Sequence, residues 1–297
     1  MAEISIIILT KNAGRKFKKI LAQVSKQKID KEFEVIIIDS GSRDKTLKIA
    51  HQFPVAKILE IKPEEFEHGK TRNLGAILAQ GEYLVYLPQD AMPVDKNWLA
   101  NLILPLKDEG VAGTFSRQIA YPQTNLFEKY YLGFLYPAIE PKKWFGNIFF
   151  SNVGSAIKKS VWQKIKFPEG LIMSEDQAWA KEVLSAGYEI VYQPEAIVYH
   201  SHNYSCWKNF KRNFDSGMSL AKLNLIKKSR LYLEAPRYLL GEIWFLIKKR
   251  IIFALLYLPF MIIYESFRAL GFWLGTHYKI LPMSWRKKFS LHKKNLE

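Results

Sequence analysis

Several short stretches of this 297-residue chain set reactive side chains at the edges of regular elements. SEDQAW (174–179) places Glu175 and Asp176 side by side where a helix begins, and a helix N-terminus favours and orients carboxylates. A carboxylate held there can take a proton from an incoming hydroxyl, although acidic residues are also favoured in any first helical turn. LPQDAMP (87–93) leaves the apolar run YLVYL with one carboxylate, Asp90, where a diphosphate-bridging cation usually asks for two. DSGSRDKT (39–46) offers Asp39 and Ser42 after a second apolar run. They can accept hydrogen bonds from a base or ribose, or simply cap the next helix. FEHGKTRNLG (66–75) gathers His68, Lys70, Arg72 and Asn73 at the mouth of a helix, a donor-rich setting for an anion. VYHSH (198–202) puts His200 and His202 two residues apart. No third ligand has zinc-site spacing and Cys206 stands alone, so one histidine in a mixed oxygen and nitrogen site for Mg²⁺ or Mn²⁺ is favoured over zinc.

These groups need elements to hold them, and the first 90 residues alternate between two periodicities. Continuous apolar runs at Ile4–Leu9, Glu34–Asp39, Val55–Ile61 and Tyr83–Leu87 predict buried strands. Helical patterns over Arg15–Gln27, Asp44–Gln52 and Thr71–Gln80 separate them. Such alternation predicts a parallel sheet covered on both faces, with ligands beyond the carboxyl ends of its strands. Thr10, Asp39 and Asp90 all fall at such ends and are expected to line one crevice. From Gly110 to Phe150 the pattern loosens into aromatic-rich loops, followed by SNVGSA (151–156) and then SEDQAW.

Charge divides the chain differently. Of a net +16, residues 201–297 carry 18 Lys+Arg against 5 Asp+Glu, interleaved with long apolar runs. Nucleic-acid binding would pair such charge with polar residues, so it is excluded as the expectation. Basic clusters beside apolar helices suit an anionic membrane surface. The apolar run Ile251–Tyr264 is shorter than the roughly 20 residues a spanning helix needs. Lys248, Lys249 and Arg250 would sit near the centre of any longer span, so two interfacial helices are expected. A helical lid packed on the rest of the protein is the soluble alternative. One cysteine excludes an intramolecular disulfide framework and fits a reducing compartment, and the N-terminus reads as a strand, not a signal peptide.

Neither GxGxxG nor GxxxxGK[ST] occurs after a strand, which disfavours dinucleotide and phosphate-loop folds. Taken in order, IIILTKN, VIIIDSGSRDKT, HGKTRNLGAILAQGEYLVYLPQDA, SNVGSA, SEDQAW and VYH resemble family 2 glycosyltransferases over residues 3–205. The YHSHNY portion and the tail ending GFWLGTHYKILP resemble the rhamnosyltransferase subgroup. The resemblance implies an α/β GT-A (nucleotide-diphospho-sugar transferase) fold with a mostly parallel central sheet as a catalytic domain over 1–205. A helical, membrane-associating extension would follow over 206–297.

It also implies an inverting transfer from a dTDP- or UDP-linked sugar, L-rhamnose among the candidates, to a glycan or polyprenyl-diphosphate-linked acceptor. Thr10, Asn12 and Asp39 would hold the nucleotide, and Arg72 and Asn73 would lie near ribose and diphosphate. Ser42, Gln89, Gly154, Glu175 and Trp179 fall in the same motifs and are expected around the donor. Asp90 matches the last aspartate of the family's DxD motif and His200 its C-terminal histidine, together holding a Mg²⁺ or Mn²⁺ ion. Asp176 matches the catalytic base. Pro88 stands where the motif's first aspartate belongs, which weakens metal binding. The expected location is cytoplasmic, peripheral at the inner face of the cell membrane. Two rival readings are a catalytically inactive, membrane-docked scaffold and a sugar-1-phosphate nucleotidyltransferase; for the latter, KNAGRKFKK is a poor version of the required loop.

Overall fold

The isoleucine-rich runs form the centre of a sheet because both faces of each strand are covered. β1 (Ile4–Thr10) pairs in parallel with β2 (Phe33–Asp39), and the last residues of the two strands, Thr10 and Asp39, stand side by side. The remaining strands are β3 (Lys57–Glu60), β4 (Tyr83–Tyr86), β5 (Met92–Pro93), β6 (Val111–Ile119), β7 (Lys142–Lys143), β8 (Ser155–Lys158) and β9 (Glu189–Tyr199). The computed structural model describes residues 2–139, 142–143, 149–226, 228–249 and 251–292. Side chains are described for all of these except 142–143, 228–235 and 251–255. Arg250 of the basic triplet and residues 144–148 of the second aromatic stretch therefore lie outside the described residues.

Among the described residues, nine strands make one sheet in the order β3-β2-β1-β4-β8-β6-β9-β5, with β7 on β9. The sheet is mixed, where a mostly parallel one was expected. β3, β2, β1 and β4 are parallel, but β8 runs antiparallel to both β4 and β6, and β5 and β7 run antiparallel to β9. Only the β6–β9 pair restores a parallel neighbour. Beyond residue 90 the short strands β5, β7 and β8 pair antiparallel with their neighbours, which the alternation of the first 90 residues does not foreshadow. Ile4, Ile6, Ile8, Val35, Ile37, Val85 and Phe17 build one buried core with Trp98, Leu99 and Leu102 from the helix Trp98–Ile103.

The chain divides into two compact units. The first comprises 1–121, 136–170 and 175–200, and holds the sheet; the second comprises 122–135, 171–174 and 201–297. The second unit is helical, with long helices Cys206–Lys222, Lys228–Lys249 and Ile251–Thr276. Among the described residues, no helix is long and apolar enough to cross a membrane. Helices Cys206–Lys222 and Ile251–Thr276 touch backbone to backbone because glycines face the contact. A Cβ on Gly271 would lie 2.3 Å from the Phe210 carbonyl oxygen, and one on Gly275 2.1 Å from that of Phe214. Gly275→Leu should therefore lower the midpoint of thermal unfolding, by overpacking of about 1–3 kcal/mol or more. Gly133→Ala, at a position where an added Cβ meets nothing within 4 Å, should leave the midpoint unchanged or raise it.

Candidate functional site

Strand ends and two loops build a crevice at the carboxyl edge of β1, β2 and β4. Thr10 Oγ1 donates to Asp39 Oδ2 at 2.8 Å, and Ser42 Oγ donates to the same oxygen at 2.6 Å. Asp39 Oδ1 accepts the Gly41 and Ser42 amides at 3.0 and 2.7 Å. The buried Asp39 carboxylate thus holds the glycine turn in shape, and Gly41 takes a positive φ of 84° that a side chain would strain. The loop after β1 is tied to the loop after β2 by a row of further bonds. Ser42 Oγ accepts the Asn12 amide, Asn12 Oδ1 accepts the Arg43 amide, and Thr46 Oγ1 accepts the Ala13 amide. Asn12 and Ser42 are placed as fasteners of this rim, with Ser40 beside them on the crevice wall.

Gln89 closes the opposite rim by a two-point grip on one backbone residue. Its Oε1 accepts the Lys11 amide at 2.7 Å and its Nε2 donates to the Lys11 carbonyl at 3.1 Å. The crevice between has a volume of about 210 Å³ and is lined by Thr10, Ser40, Phe66, His68, Arg72, Pro88, Gln89 and Asn152, among others. That volume is below the few hundred Å³ of a pocket enclosing a whole small ligand. A nucleotide-sized ligand would lie partly within it and partly along its rim.

The helix that supplies the cationic side chains begins one turn earlier than its pattern suggests, at His68 and not Thr71. It lacks a Ser, Thr, Asp or Asn cap; instead Thr71 Oγ1 accepts the Glu67 amide at 3.3 Å. His68 and Arg72, one turn apart, face the crevice, while Lys70 points to solvent. Asn73 is turned inward. Its Oδ1 accepts Trp162 Nε1 and the Phe167 amide, and its Nδ2 donates to the Phe167 carbonyl and to Glu169. Trp179 is likewise internal, donating to the Ile165 carbonyl and packing on Phe150 and Phe167. Gly154, at φ 71°, leaves no room for a side chain, since a Cβ there would lie 2.6 Å from Ser116 Oγ.

The acidic pair opens the helix Glu175–Ser185 as its spacing suggests. The two carboxylates meet different surroundings. Glu175 is buried and ion-paired with Arg72. Burial pushes its carboxyl up, but Arg72 above all, then His68, outweigh this and hold it below the usual range. Asp176 Oδ2 accepts the Asn152 amide at 3.3 Å and Oδ1 accepts the Gln177 amide at 2.8 Å. Enclosure by the protein, and next the charge on Glu175, push Asp176 up to about 7, with Arg72 opposing. One carboxylate keeps its charge and its neighbour carries a proton that is easily gained or lost near neutrality, the division of labour that acid–base chemistry requires. Asn152 was not singled out from the sequence, although SNVGSA was. It orients Asp176 through its backbone and accepts Ser155 Oγ at 2.9 Å through its side chain.

Asp90 and His200 come together on the rim. Asp90 Oδ1 lies 3.7 Å from His200 Nε2, with the Asp90 side chain half exposed. His200 Nδ1 lies 2.9 Å from Gln118 Oε1, and Gln118 Nε2 donates to Ser151 Oγ at 3.1 Å, so the ring is held on the strand side by its Nδ1 edge and turns Nε2 toward Asp90. A carboxylate oxygen and an imidazole nitrogen at that separation are donor atoms that one divalent ion takes, so the residues present fit Mg²⁺ or Mn²⁺. Tyr121 supports the rim, donating to the Asp90 carbonyl at 3.2 Å and stacking on Tyr199. Pro88 presents its ring to the crevice where a first carboxylate was missing.

A family model described as glycosyl transferase family 2 matches residues 5–165. The chain is a family 2 glycosyltransferase. It is 32% identical over 304 residues to O-antigen chain rhamnosyltransferase RfbN of Salmonella typhimurium, covering 98% of this chain and 95% of that one. It is 32% identical over 305 residues to O-antigen chain rhamnosyltransferase WbaN of Salmonella anatum, covering 99% and 95%. Among solved structures it is similar to mannosyltransferase PcManGT from Pyrobaculum calidifontis in complex with GDP-Man and Mn²⁺. That likeness has a TM-score of 0.62 at 17% identity, covering 94% and 86% of the two chains, and shows the fold.

Two outcomes check this arrangement. Glu175→Gln removes the charge paired with Arg72 and should lower stability, read by denaturant unfolding, with Asp176 taking up part of the pairing as it ionises. Because Asp176 is raised in the folded state, its contribution is fully present below the ordinary carboxylate range and is lost as pH rises through about 7. Asp176→Asn removes that loss, so the stability of the variant relative to the wild type should grow from pH 4 to pH 7 and then level off.

Proposed function

We propose that this glycosyltransferase moves a sugar, L-rhamnose being the first candidate, from a nucleoside-diphosphate donor to a hydroxyl of a glycan acceptor, with inversion at the anomeric carbon. The observation that carries the reading is the split acidic pair, Glu175 charged on Arg72 and Asp176 poised near neutrality beside it. The donor candidate comes from the similarity to the two O-antigen chain rhamnosyltransferases. Residues 1–205 form the catalytic region in this reading, and 206–297 attach it to the inner face of the cell membrane, where a polyprenyl-diphosphate-linked glycan would be the acceptor.

The residues divide the work by position. Thr10, Asn12, Asp39 and Ser42 shape the rim that receives the nucleotide. The Arg72 guanidinium has five donors, and Glu175 engages only some of them, leaving others for the diphosphate. Asn73, Gly154 and Trp179 act by fixing the loops around the donor, and Gln89 by holding the rims at their spacing. Asp176 accepts the proton of the acceptor hydroxyl as its oxygen bonds to the anomeric carbon and the bond to the diphosphate breaks. Arg72 meets the charge that develops on the departing diphosphate. Asp90 and His200 would hold Mg²⁺ or Mn²⁺, which when bound supplies further positive charge to the leaving group. No second carboxylic acid is needed, because the nucleoside diphosphate leaves without being protonated.

Asp176→Asn should lower transfer by about 10²–10⁴-fold while leaving donor binding within a few-fold, as measured by thermal shift. In the wild type, transfer should rise with pH through about 7 and then level off, since the base must be ionised. Full activity in the Asn variant would remove Asp176 as base. Asp90→Ala should abolish the Mn²⁺-dependent part of nucleotide stabilisation; an unchanged shift would remove Asp90 as a ligand. A donor panel decides the rest: dTDP-rhamnose favoured over UDP-hexoses supports the proposed sugar. No transfer with any donor favours the inactive scaffold, and release of pyrophosphate from a nucleoside triphosphate and a sugar phosphate favours the nucleotidyltransferase.

A further inference from the structure

The second unit sorts its charges by sign. Its described carboxylates, Glu128, Asp215, Glu242 and Glu265, are all buried. Arg268 pairs with two of the three glutamates from within. It lies 3.2 Å from Glu265 and 3.8 Å from Glu128, and its guanidinium stands 4.1 Å from the centre of the Tyr131 ring. Both oxygens of Glu242 are buried without a hydrogen-bond partner, and burial pushes this carboxyl up to about 8, so it is uncharged at neutral pH. Lys208, Lys222, Arg237, Lys248, Lys249, Lys287 and Lys288 are exposed. The outer surface of this unit is therefore basic and apolar, with no exposed carboxylate among the residues whose side chains are described.

The apolar part is a stripe. Along the helix Ile251–Thr276, Leu256, Phe260, Ile263 and Leu270 recur at helical spacing and are each more than half exposed. On the helix Lys228–Lys249, Leu240 and Trp244 are 68% and 58% exposed. The opposite faces of both helices meet in one shared cluster of Leu246, Met261, Tyr264 and Phe127, so the stripe looks outward from that cluster. Lys248 Nζ lies 5.5 Å from the centre of the Trp244 ring and Lys249 Nζ 5.6 Å from that of Phe245, amphipathic stems folded along aromatic faces with the ammonium at the edge.

We infer that this outer face lies in the headgroup plane of a bilayer rich in anionic phospholipid, with Leu240, Trp244, Leu256, Phe260 and Ile263 below the phosphates and Lys248 and Lys249 among them. This names the partner of the attachment region proposed above and rests on that reading only for its link to the acceptor. Charge and apolarity together select the occupant. A second copy would bring two strongly basic regions face to face. A nucleic acid would leave the stripe in water. A lipid surface satisfies both, and no described helix is built to go deeper.

The test is flotation of the full chain with vesicles of phosphatidylcholine alone and of phosphatidylcholine with about one-third phosphatidylglycerol. The wild type should float with the anionic vesicles at least tenfold better than with the neutral ones. Trp244→Glu with Phe260→Glu should lose flotation about tenfold or more, and Lys248→Glu with Lys249→Glu should lose the preference for anionic lipid. All four sites are exposed, and a thermal melt confirms folding. Wild-type flotation that is absent, indifferent to lipid charge, or unaltered in both double variants overturns the inference. A shift from dimer to monomer in Trp244→Glu with Phe260→Glu, with flotation unchanged, overturns it in favour of a self-interface. Nucleotide-sugar stabilisation of the same variants should match the wild type. Its absence in every form, with flotation intact, would overturn the donor-site reading and leave the surface standing.

Discussion

One cation facing two adjacent carboxylates is the constraint around which the candidate site is arranged. Arg72 is buried against Glu175, and the chain places Asp176 next to it, so two ionised groups would share a single counter-charge in an enclosed site. The conflict is resolved unequally: Glu175 keeps its charge and Asp176 is raised until protonation near neutrality relieves the repulsion. The helix His68–Leu78 brings Arg72 in, and the helix Glu175–Ser185 brings the carboxylates. The Asn152 loop fixes which oxygen of Asp176 is held. Asn73, on the first of these helices, is fully engaged, with four hydrogen bonds to Trp162, Phe167 and Glu169.

The same economy of polar groups shapes the nucleotide rim. Asp39 has four hydrogen bonds to its own turn and to Thr10, so in the proposed reading its part is to give the rim its form. Asn12, Ser42 and Gln89 act similarly. Among the described residues, His68 and Arg72 line the crevice and the Asp90–His200 pair suits a divalent cation. A site with a rigid frame and few exposed polar groups suits a reaction in which charge moves between a hydroxyl, a carboxylate and a departing diphosphate.

Much of this was legible in the sequence, and the parts that were not share a cause. Continuous apolar runs marked the first four strands and the crevice at their carboxyl ends, but of Thr10, Asp39 and Asp90 only Thr10 lines it; Asp39 is buried behind Thr10, and Asp90 is not among the lining residues. The acidic helix start at Glu175 was also readable. The direction of β8 was not, because nothing local in a four-residue strand marks which neighbours it pairs with. The pairing of Arg72 with Glu175 spans 103 positions and that of His200 with Gln118 spans 82, and no local pattern marks either. The true start of the helix at His68 was hidden because its cap works in reverse, with Thr71 accepting the Glu67 amide. In the second unit, composition disclosed the excess of basic residues, but not that the described acids are turned inward.

The central claim is that Asp176 and not Glu175 titrates near neutrality, and the direct measurement is a carboxyl titration by ¹³C NMR. Protein labelled at the side-chain carboxyl of aspartate is compared with the Asp176→Asn variant to assign the resonance. The account predicts an Asp176 midpoint near 7, moving down when Glu175→Gln removes the neighbouring charge. A midpoint in the ordinary carboxylate range, unmoved by that substitution, would contradict it.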